Sequence, residues 1–187
     1  MTSIALLKGI NVGAKNRINM VELKSLLTEY GFEHVTTYIN TGNVIIKSAQ
    51  THHQLSEELE TLIQLKLGLM VPVISRTLIE YKKMILSCPY GTEQLKTISE
   101  GKAYECFYVA FLSRELTVEQ IEKLNAYKTN LEDYLLIEKN IFLLLEGGIR
   151  ESKLVKQLMK IDKKVTTRNW NTVLKLDELA SHFDLEN

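Results

Sequence analysis

The sequence has few of the residues that mark secreted, metal-binding or membrane-spanning proteins. Among 187 residues there are two cysteines, two prolines and one tryptophan, and the formal net charge is zero. Cys88 and Cys106 lack the spacing of a metal or redox motif, and the four histidines are scattered. We therefore expect no metal site and no cofactor. No apolar run approaches the roughly 18 residues of a membrane span, so no membrane partner is expected.

The N-terminus has none of the features of a targeting segment. It lacks a basic start and a small-residue cleavage site, and its apolar run at residues 4–7 has only the length of a strand. Hydrophobic residues make up 45% and charged residues 25% of the chain, as is typical of a folded globular protein. Together with unpaired cysteines, these features predict a cytoplasmic location.

Apolar periodicity in the first half predicts the order β-α-β-β-α-β. Each predicted helix has one apolar face, and Asn19 and Thr51 are suited to cap the two helix starts. The segment Asn-Thr-Gly-Asn at residues 40–43 has hairpin-turn chemistry. The strands are predicted at residues 4–7, 35–39, 44–46 and 71–74. This succession is the ferredoxin-like pattern.

The second half repeats the pattern of elements without visible similarity of residues. A strand at 104–112, a helix after Thr117, a hairpin over 134–145 and a helix over 154–159 give β-α-β-β-α. A final helix follows at 173–183. The predicted fold class is α+β, with two ferredoxin-like subdomains.

The predicted domain limits follow from a polar stretch in the middle of the chain. Residues 91–102 are polar and are expected to form a loop. The N-terminal subdomain is expected at 1–76, a connecting helix and loop at 77–102, and the C-terminal subdomain with its terminal helix at 103–187.

No catalytic motif is recognisable in the chain. There is no G-x-S-x-G turn and no H-E-x-x-H helix, and neither cysteine has an activating base nearby in sequence. The sequence therefore leaves open whether the protein is an enzyme, and no catalytic residue is assigned.

The polar segment at residues 9–17 lies between a predicted strand and a predicted helix, where phosphate-binding loops occur. The spacing of its glycines fits neither a Walker A loop nor a dinucleotide fingerprint. Two interpretations stay open. The segment binds an anion through its basic side chains, or its asparagines bind their own backbone.

A second polar segment, at residues 166–172, contains the only tryptophan. Trp170 beside Arg168 is an arrangement that can stack on a base or another flat ligand. A single tryptophan is more often an anchor of the core, and that interpretation is favoured here.

Three segments resemble the signatures of the bacterial domain-of-unknown-function 1697 (DUF1697) family. They are residues 6–13 (LLKGINVG), 38–44 (YINTGNV) and 167–173 (TRNWNTV), in the order found in the family. Lys8 replaces the usual arginine of the family, and Ala14 replaces a frequent second glycine. The resemblance implies two ferredoxin-like α+β subdomains and implies no activity.

We expect a binding module for a phosphate-containing small molecule or nucleic acid, in a polar cleft between the subdomains. The expected ligand-binding residues are Lys8, Asn11, Lys15, Arg17, Asn40, Asn43, Arg168, Asn169 and Trp170. Two alternatives remain open: an enzyme with a site assembled between the halves, and a self-associating structural protein that uses an uncovered sheet face. The sequence does not determine the oligomeric state.

Overall fold

The protein is an α+β protein with two four-stranded antiparallel sheets. The computed structural model describes residues 1–13, 16–102 and 105–186. The chain divides into two compact units: unit 1 comprises Met1–Lys83 and Leu174–Asn187, and unit 2 comprises Met84–Val173. The predicted fold class is confirmed, whereas the predicted domain limits stay a prediction. Within the described residues, no helix combines the length and the apolar character needed to cross a membrane.

Unit 1 has the predicted β-α-β-β-α-β order, and its sheet has the strand order β2-β3-β1-β4. Its elements are β1 (Thr2–Leu7), α1 (Met20–Glu29), β2 (Val35–Tyr38), β3 (Asn43–Lys47), α2 (His52–Leu67), β4 (Val73–Thr77) and α3 (Leu78–Leu86). Strand β4 lies at the sheet edge and begins after Pro72, which has no N–H to donate. It extends three residues beyond the predicted end at residue 74.

Local sequence signals account for the helix starts in unit 1. The Asn19 side chain accepts a hydrogen bond from the backbone N–H of Val21, and Thr51 forms a capping box with Gln54. Each cap satisfies N–H groups that have no partner inside the helix. The apolar faces of α1 and α2 then pack against alternate residues of the sheet. This core comprises residues such as Ala5, Leu7, Leu23, Leu27, Leu55, Leu59, Val44 and Ile46.

Unit 2 contains two elements that sequence reasoning missed. Its elements are α4 (Thr92–Ser99), β5 (Phe107–Phe111), α5 (Val118–Asn125), β6 (Glu132–Ile137), β7 (Asn140–Leu145), α6 (Lys153–Ile161) and β8 (Thr166–Asn169). Helix α7 (Trp170–Glu186) follows β8 directly. The expectation of a loop throughout residues 91–102 was wrong, because α4 forms there. The second half is also a complete β-α-β-β-α-β unit rather than β-α-β-β-α.

Physical reasons explain why β8 and α4 could not be predicted from the sequence. Strand β8 is a short polar segment, and its hydrogen bonds are made to a distant strand, with Thr166 opposite Phe111 and Arg168 opposite Val109. Helix α4 is mostly polar and begins at Gly91 without a side-chain cap. Neither segment therefore carries a strong local signal.

The two units share one buried arginine as well as the topology. Arg76 of β4 pairs with Ile4 of the central strand β1, and Arg168 of β8 pairs with Val109 of the central strand β5. Both arginines are buried, and each Nη1 donates to the carbonyl oxygen of the preceding residue at 2.9 Å. The last strand of each sheet thus has a buried arginine at an equivalent position.

The connections between equivalent strands and helices differ in length. The β1–α1 connection of unit 1 spans residues 8–19, whereas the β5–α5 connection of unit 2 spans only 112–117. The β2–β3 turn of unit 1 spans 39–42, and the β6–β7 turn spans 138–139. Unit 2 completes the same topology with the shorter connections. The additional residues of unit 1 are therefore not required by the fold.

The central strands β1 and β5 of the two sheets are largely buried. All six residues of β1 are buried, and so are Phe107, Val109, Ala110 and Phe111 of β5. Tyr104, the predicted start of the second strand, lies outside the described residues. Among the described residues of these two strands, Tyr108 alone is half-buried rather than buried, and self-association stays a prediction.

Candidate functional site

The two longer connections of unit 1 meet around a pocket with a volume of about 490 Å³. Three of the residues predicted from the sequence, Asn11, Arg17 and Asn40, line this pocket. The complete lining is Asn11, Gly13, Arg17, Ile18, Asn19, Met20, Val21, Ile39 and Asn40. The volume lies within the range of small-molecule sites, roughly 300–1,000 Å³. We call this feature the loop pocket.

Asn11 holds the long loop closed and joins it to the β2–β3 turn. Its Nδ2 donates to the carbonyl oxygens of Ile18, at 2.9 Å, and Asn40, at 2.7 Å. Its Oδ1 accepts a hydrogen bond of 2.9 Å from the backbone N–H of Ile18. Asn11 therefore fits the interpretation in which the asparagines of the segment bind backbone groups, and it positions the loop.

Among the described residues of the long loop, glycine and asparagine occupy the left-handed positions. The φ angles of Gly9, Asn11, Gly13 and Asn16 are 65°, 55°, 66° and 52°. Glycine adopts this conformation without strain, and asparagine tolerates it better than most residues. The composition of the loop thus follows from its backbone path.

Ile39 is the exception among the left-handed residues of the loop pocket. Its φ is 48°, although it is β-branched, and the residue is 48% exposed. A non-glycine residue held in this region costs on the order of 1–3 kcal/mol. Sequence reasoning missed Ile39 because a β-branched residue at that point extends the strand pattern.

Gly42 allows the turn to pack against the base of the loop. Its φ is +82°, and a Cβ atom there would lie 2.8 Å from the Cβ of Leu7 and 3.0 Å from Cδ1 of Ile10. Such distances are shorter than van der Waals contact, so a larger residue would push the turn away. This close approach limits the path of the turn whose first two residues, Ile39 and Asn40, line the loop pocket.

The loop pocket combines a cation with aliphatic surface. Arg17 is exposed and makes no hydrogen bond or ion pair with another described residue, and the same holds for the side-chain amide of Asn40. Val21, which is 72% exposed, and Ile39 add apolar surface. The arrangement can therefore accept an anion, and it presents apolar contacts beside that anion.

The family model described as "Protein of unknown function (DUF1697)" matches residues 1–142 of the 187 residues. The chain belongs to this family.

The chain is also similar to a solved structure described as conserved bacterial protein SP0830 from Streptococcus pneumoniae. That similarity has 25% identity and a TM-score of 0.73, and covers 96% of this chain and 98% of that chain. A search of curated proteins found no match.

Two of the three family signatures contribute to the loop pocket. Residues 6–13 include Asn11, residues 38–44 include Asn40, and both segments lie within the matched range 1–142. The third segment, residues 167–173, lies beyond that range. Neither the family description nor the description of the similar structure assigns an activity.

Two other predicted residues of unit 1, Lys8 and Asn43, do not line the pocket and make hydrogen bonds within the unit. The backbone N–H of Lys8 donates to the carbonyl oxygen of Pro72 at 2.9 Å. Asn43 is fully buried, and its Nδ2 donates to Tyr38 O at 3.1 Å and to Thr41 Oγ1 at 3.0 Å. Lys15, also predicted as a ligand-binding residue, lies outside the described residues.

Arg168 and Asn169 belong to unit 2, and each makes hydrogen bonds to other residues of that unit. Arg168 is buried, and its Nη1 donates to Thr166 Oγ1 at 2.8 Å. The Oδ1 atom of Asn169 accepts a 2.8 Å hydrogen bond from the backbone N–H of Thr172, in the first turn of α7. That these residues share a cleft with those of unit 1 stays a prediction.

Trp170 packs within an aromatic cluster of unit 2. Its ring centroid lies 5.2 Å from that of Phe107 and 6.3 Å from that of Phe142. Phe107 also contacts Tyr90 edge-on, with centroids 5.2 Å apart. The geometry matches the favoured interpretation of Trp170 as a packing residue.

Unit 1 also contains a histidine–carboxylate pair that the sequence did not reveal. His52 Nδ1 lies 3.2 Å from Glu80 Oε1, and Glu80 Oε2 accepts hydrogen bonds from the N–H and hydroxyl of Thr77 at 2.8 Å and 3.0 Å. Partial burial opposes ionisation, but the Thr77 bonds and the nearby His52 and Arg76 lower the pKa of the Glu80 carboxyl. The Thr77–Glu80 contact joins residues three apart in the sequence, whereas the contact of Glu80 with His52 of α2 requires the fold.

Glu80 should make the stability of the protein depend on pH. Its pKa is lower in the folded than in the unfolded state, where it is about 4.3. Its contribution is thus present above about pH 4.3 and is lost as the pH falls through the folded pKa. We expect the unfolding free energy of wild type to fall more steeply than that of Glu80→Gln between about pH 6 and about pH 3, measured by urea denaturation. Equal slopes would contradict this assignment.

The matched control for this measurement is Glu57→Gln. Glu57 pairs with His53 at 3.4 Å, and both side chains are largely exposed. Exposed ion pairs contribute little to stability. We therefore expect this variant to keep the pH dependence of wild type.

A second pocket of unit 1, with a volume of about 540 Å³, has polar groups that bond to one another. The Met1 ammonium donates to the carbonyl oxygen of Ser48 at 2.8 Å, and Gln50 Nε2 donates to the carboxylate of Glu58. Within the described residues, no group of three His, Cys, Asp or Glu side chains is arranged to hold a metal ion. The loop pocket remains the better candidate site.

Proposed function

We propose that the chain is a binding protein for a small molecule that carries a phosphate group, held in the loop pocket of unit 1. The observation that carries this proposal is the internal comparison of the two units. The two connections in which unit 1 exceeds unit 2 by two or more residues, residues 8–19 and 39–42, both border the loop pocket. Residues that the fold does not require are thus concentrated at one site.

The chemistry of the loop pocket favours an anionic ligand. Arg17 provides a guanidinium group, which can donate two parallel hydrogen bonds to a phosphate. Asn40 provides an amide that can add a further donor. Asn11 connects the segments that carry them through its 2.7 Å bond to Asn40 O. Arg17 and Asn40 are therefore supported by a common framework.

Binding is favoured over catalysis by the residues that line the pocket. Among the described lining residues, Arg17 is the only one that is ionisable, and arginine stays protonated at ordinary pH. General acid–base catalysis requires a group whose pKa lies near the working pH. The described lining offers no such group, so the enzyme alternative has less support.

Replacing Arg17 by glutamine should weaken phosphate binding by about tenfold or more, because a hydrogen bond to a charged group contributes about 1.5–3 kcal/mol. Titration calorimetry with inorganic pyrophosphate at low salt measures the effect. The matched control is Arg114→Gln. Arg114 is an exposed arginine in the shorter, equivalent connection of unit 2, and its loss should leave binding unchanged.

Two results would contradict the proposal. One is that wild type fails to bind pyrophosphate even at low salt, and the other is that Arg17→Gln binds as tightly as wild type. A short single-stranded RNA should be titrated in parallel. Steeply salt-dependent RNA binding without pyrophosphate binding would instead identify a nucleic-acid ligand.

A further inference from the structure

Ile39 is unfavourable for folding in two respects. It is a β-branched residue with a φ of 48°, and it places an aliphatic side chain at the surface of the loop pocket, where the residue is 48% exposed. Asparagine or glycine would adopt the same backbone conformation at lower cost. Neither the conformation nor burial therefore accounts for isoleucine at this position.

Unit 2 provides an internal comparison for Ile39. Its equivalent turn begins with Glu138, which follows β6 as Ile39 follows β2, and which has a φ of 54°. The turn therefore requires a left-handed residue at this place in both units. It does not require an apolar one, because unit 2 has a charged side chain there.

Val21 adds a second exposed aliphatic side chain to the same pocket. It belongs to the first turn of α1 and is 72% exposed, and Met20 beside it is partly exposed. Single exposed aliphatic residues are common on protein surfaces. Here Val21 and Ile39, from separate elements, line one pocket together with the cation of Arg17.

We infer that the ligand of the loop pocket is an organic phosphate monoester whose organic part is apolar. This inference rests on the proposed function. The guanidinium of Arg17 would bind the phosphate, and the organic group would cover Val21 and Ile39. In the free protein these side chains are exposed to water. Their burial against the organic group would therefore favour binding.

The test compares two phosphate monoesters that differ in their organic part with inorganic phosphate, which has none. The three compounds are inorganic phosphate, glycerol phosphate and 1-naphthyl phosphate, titrated into the full chain by calorimetry. We expect 1-naphthyl phosphate to bind wild type about tenfold more tightly than glycerol phosphate, as burial of one aliphatic side chain allows. In Ile39→Asn this advantage should fall below about threefold.

Ile39→Asn is suited to this test because asparagine tolerates the left-handed conformation. The variant should unfold at the same temperature as wild type or at a higher one. Leu65→Asn is the matched control. Leu65 is 75% exposed on α2 and does not line the loop pocket, so this variant should keep the preference for 1-naphthyl phosphate.

The outcomes separate the inference from the proposed function. If wild type binds glycerol phosphate and 1-naphthyl phosphate equally, the apolar ligand class is overturned while phosphate binding stands. If the preference persists undiminished in Ile39→Asn, the role of Ile39 is overturned. If none of the three phosphates binds, both the inference and the proposed function are overturned.

Discussion

Gly42→Ala should lower the free energy of unfolding by about 3 kcal/mol. The alanine Cβ would lie 2.8 Å from Leu7 Cβ, so the turn or strand β1 must shift. Alanine would also be held at a φ of +82°, which is unfavourable for a residue with a Cβ atom. Overpacking contributes about 1–3 kcal/mol and the backbone about 1–2 kcal/mol. Urea denaturation of both proteins measures the difference.

The control for Gly42 is Gly68→Ala. Gly68 has a φ of +69° at the C-terminal end of α2, and no atom lies within 4 Å of the position of its Cβ. Gly68 therefore has the same left-handed backbone conformation as Gly42, but a Cβ atom there would meet no neighbouring atom. We expect a loss of about 1 kcal/mol for this variant. Equal losses for the two variants would show that close packing at Gly42 contributes nothing.

Asn11→Ala should cost about 2 kcal/mol and loosen the loop that carries Arg17. The substitution removes three side-chain hydrogen bonds, two with Ile18 and one to Asn40, and leaves alanine at a φ of 55°. Hydrogen exchange should show faster exchange of the backbone N–H of Ile18, whose acceptor is Asn11 Oδ1. Pyrophosphate binding should weaken as well, because Arg17 would no longer be held near Asn40.

Asn16→Ala provides the matched control for Asn11. Asn16 has a φ of 52°, so both substitutions place alanine in the same backbone region. Its side chain makes one long hydrogen bond, 3.5 Å to the carbonyl oxygen of Gly9. We expect a loss of about 1 kcal/mol. A loss at Asn16 as large as that at Asn11 would attribute the effect to backbone strain rather than to the hydrogen bonds.

The loop pocket shows how far sequence reasoning reached. The segments at residues 9–17 and 40–43 were identified as unusual from their polarity and turn chemistry, and both border the pocket. The sequence did not show that Asn11 bonds to Asn40, which lies 29 residues further along the chain. The ligand role suggested for Trp170 stays a prediction, and the structure shows its ring packed against Phe107 and Phe142.

Ile39 illustrates why some residues of the loop pocket could not be predicted from the sequence. In the sequence it extends a β-branched run and was assigned to a strand, since period and propensity were the only signals available. The strand ends at Tyr38, and Ile39 turns into the left-handed region. Only the backbone angles and the comparison with Glu138 show that its side chain serves neither the core nor the turn.

The sequence by itself determined the order of most elements, because capping residues and apolar periodicity act within a few neighbours along the chain. The Thr51 and Thr117 capping boxes are formed as their sequences indicate. The tertiary structure alone decided which distant segments meet. Strand β8 exists only through its pairing with β5, and the loop pocket exists only because two connections of unit 1 converge. Such contacts depend on the whole packed sheet, so no local pattern encodes them.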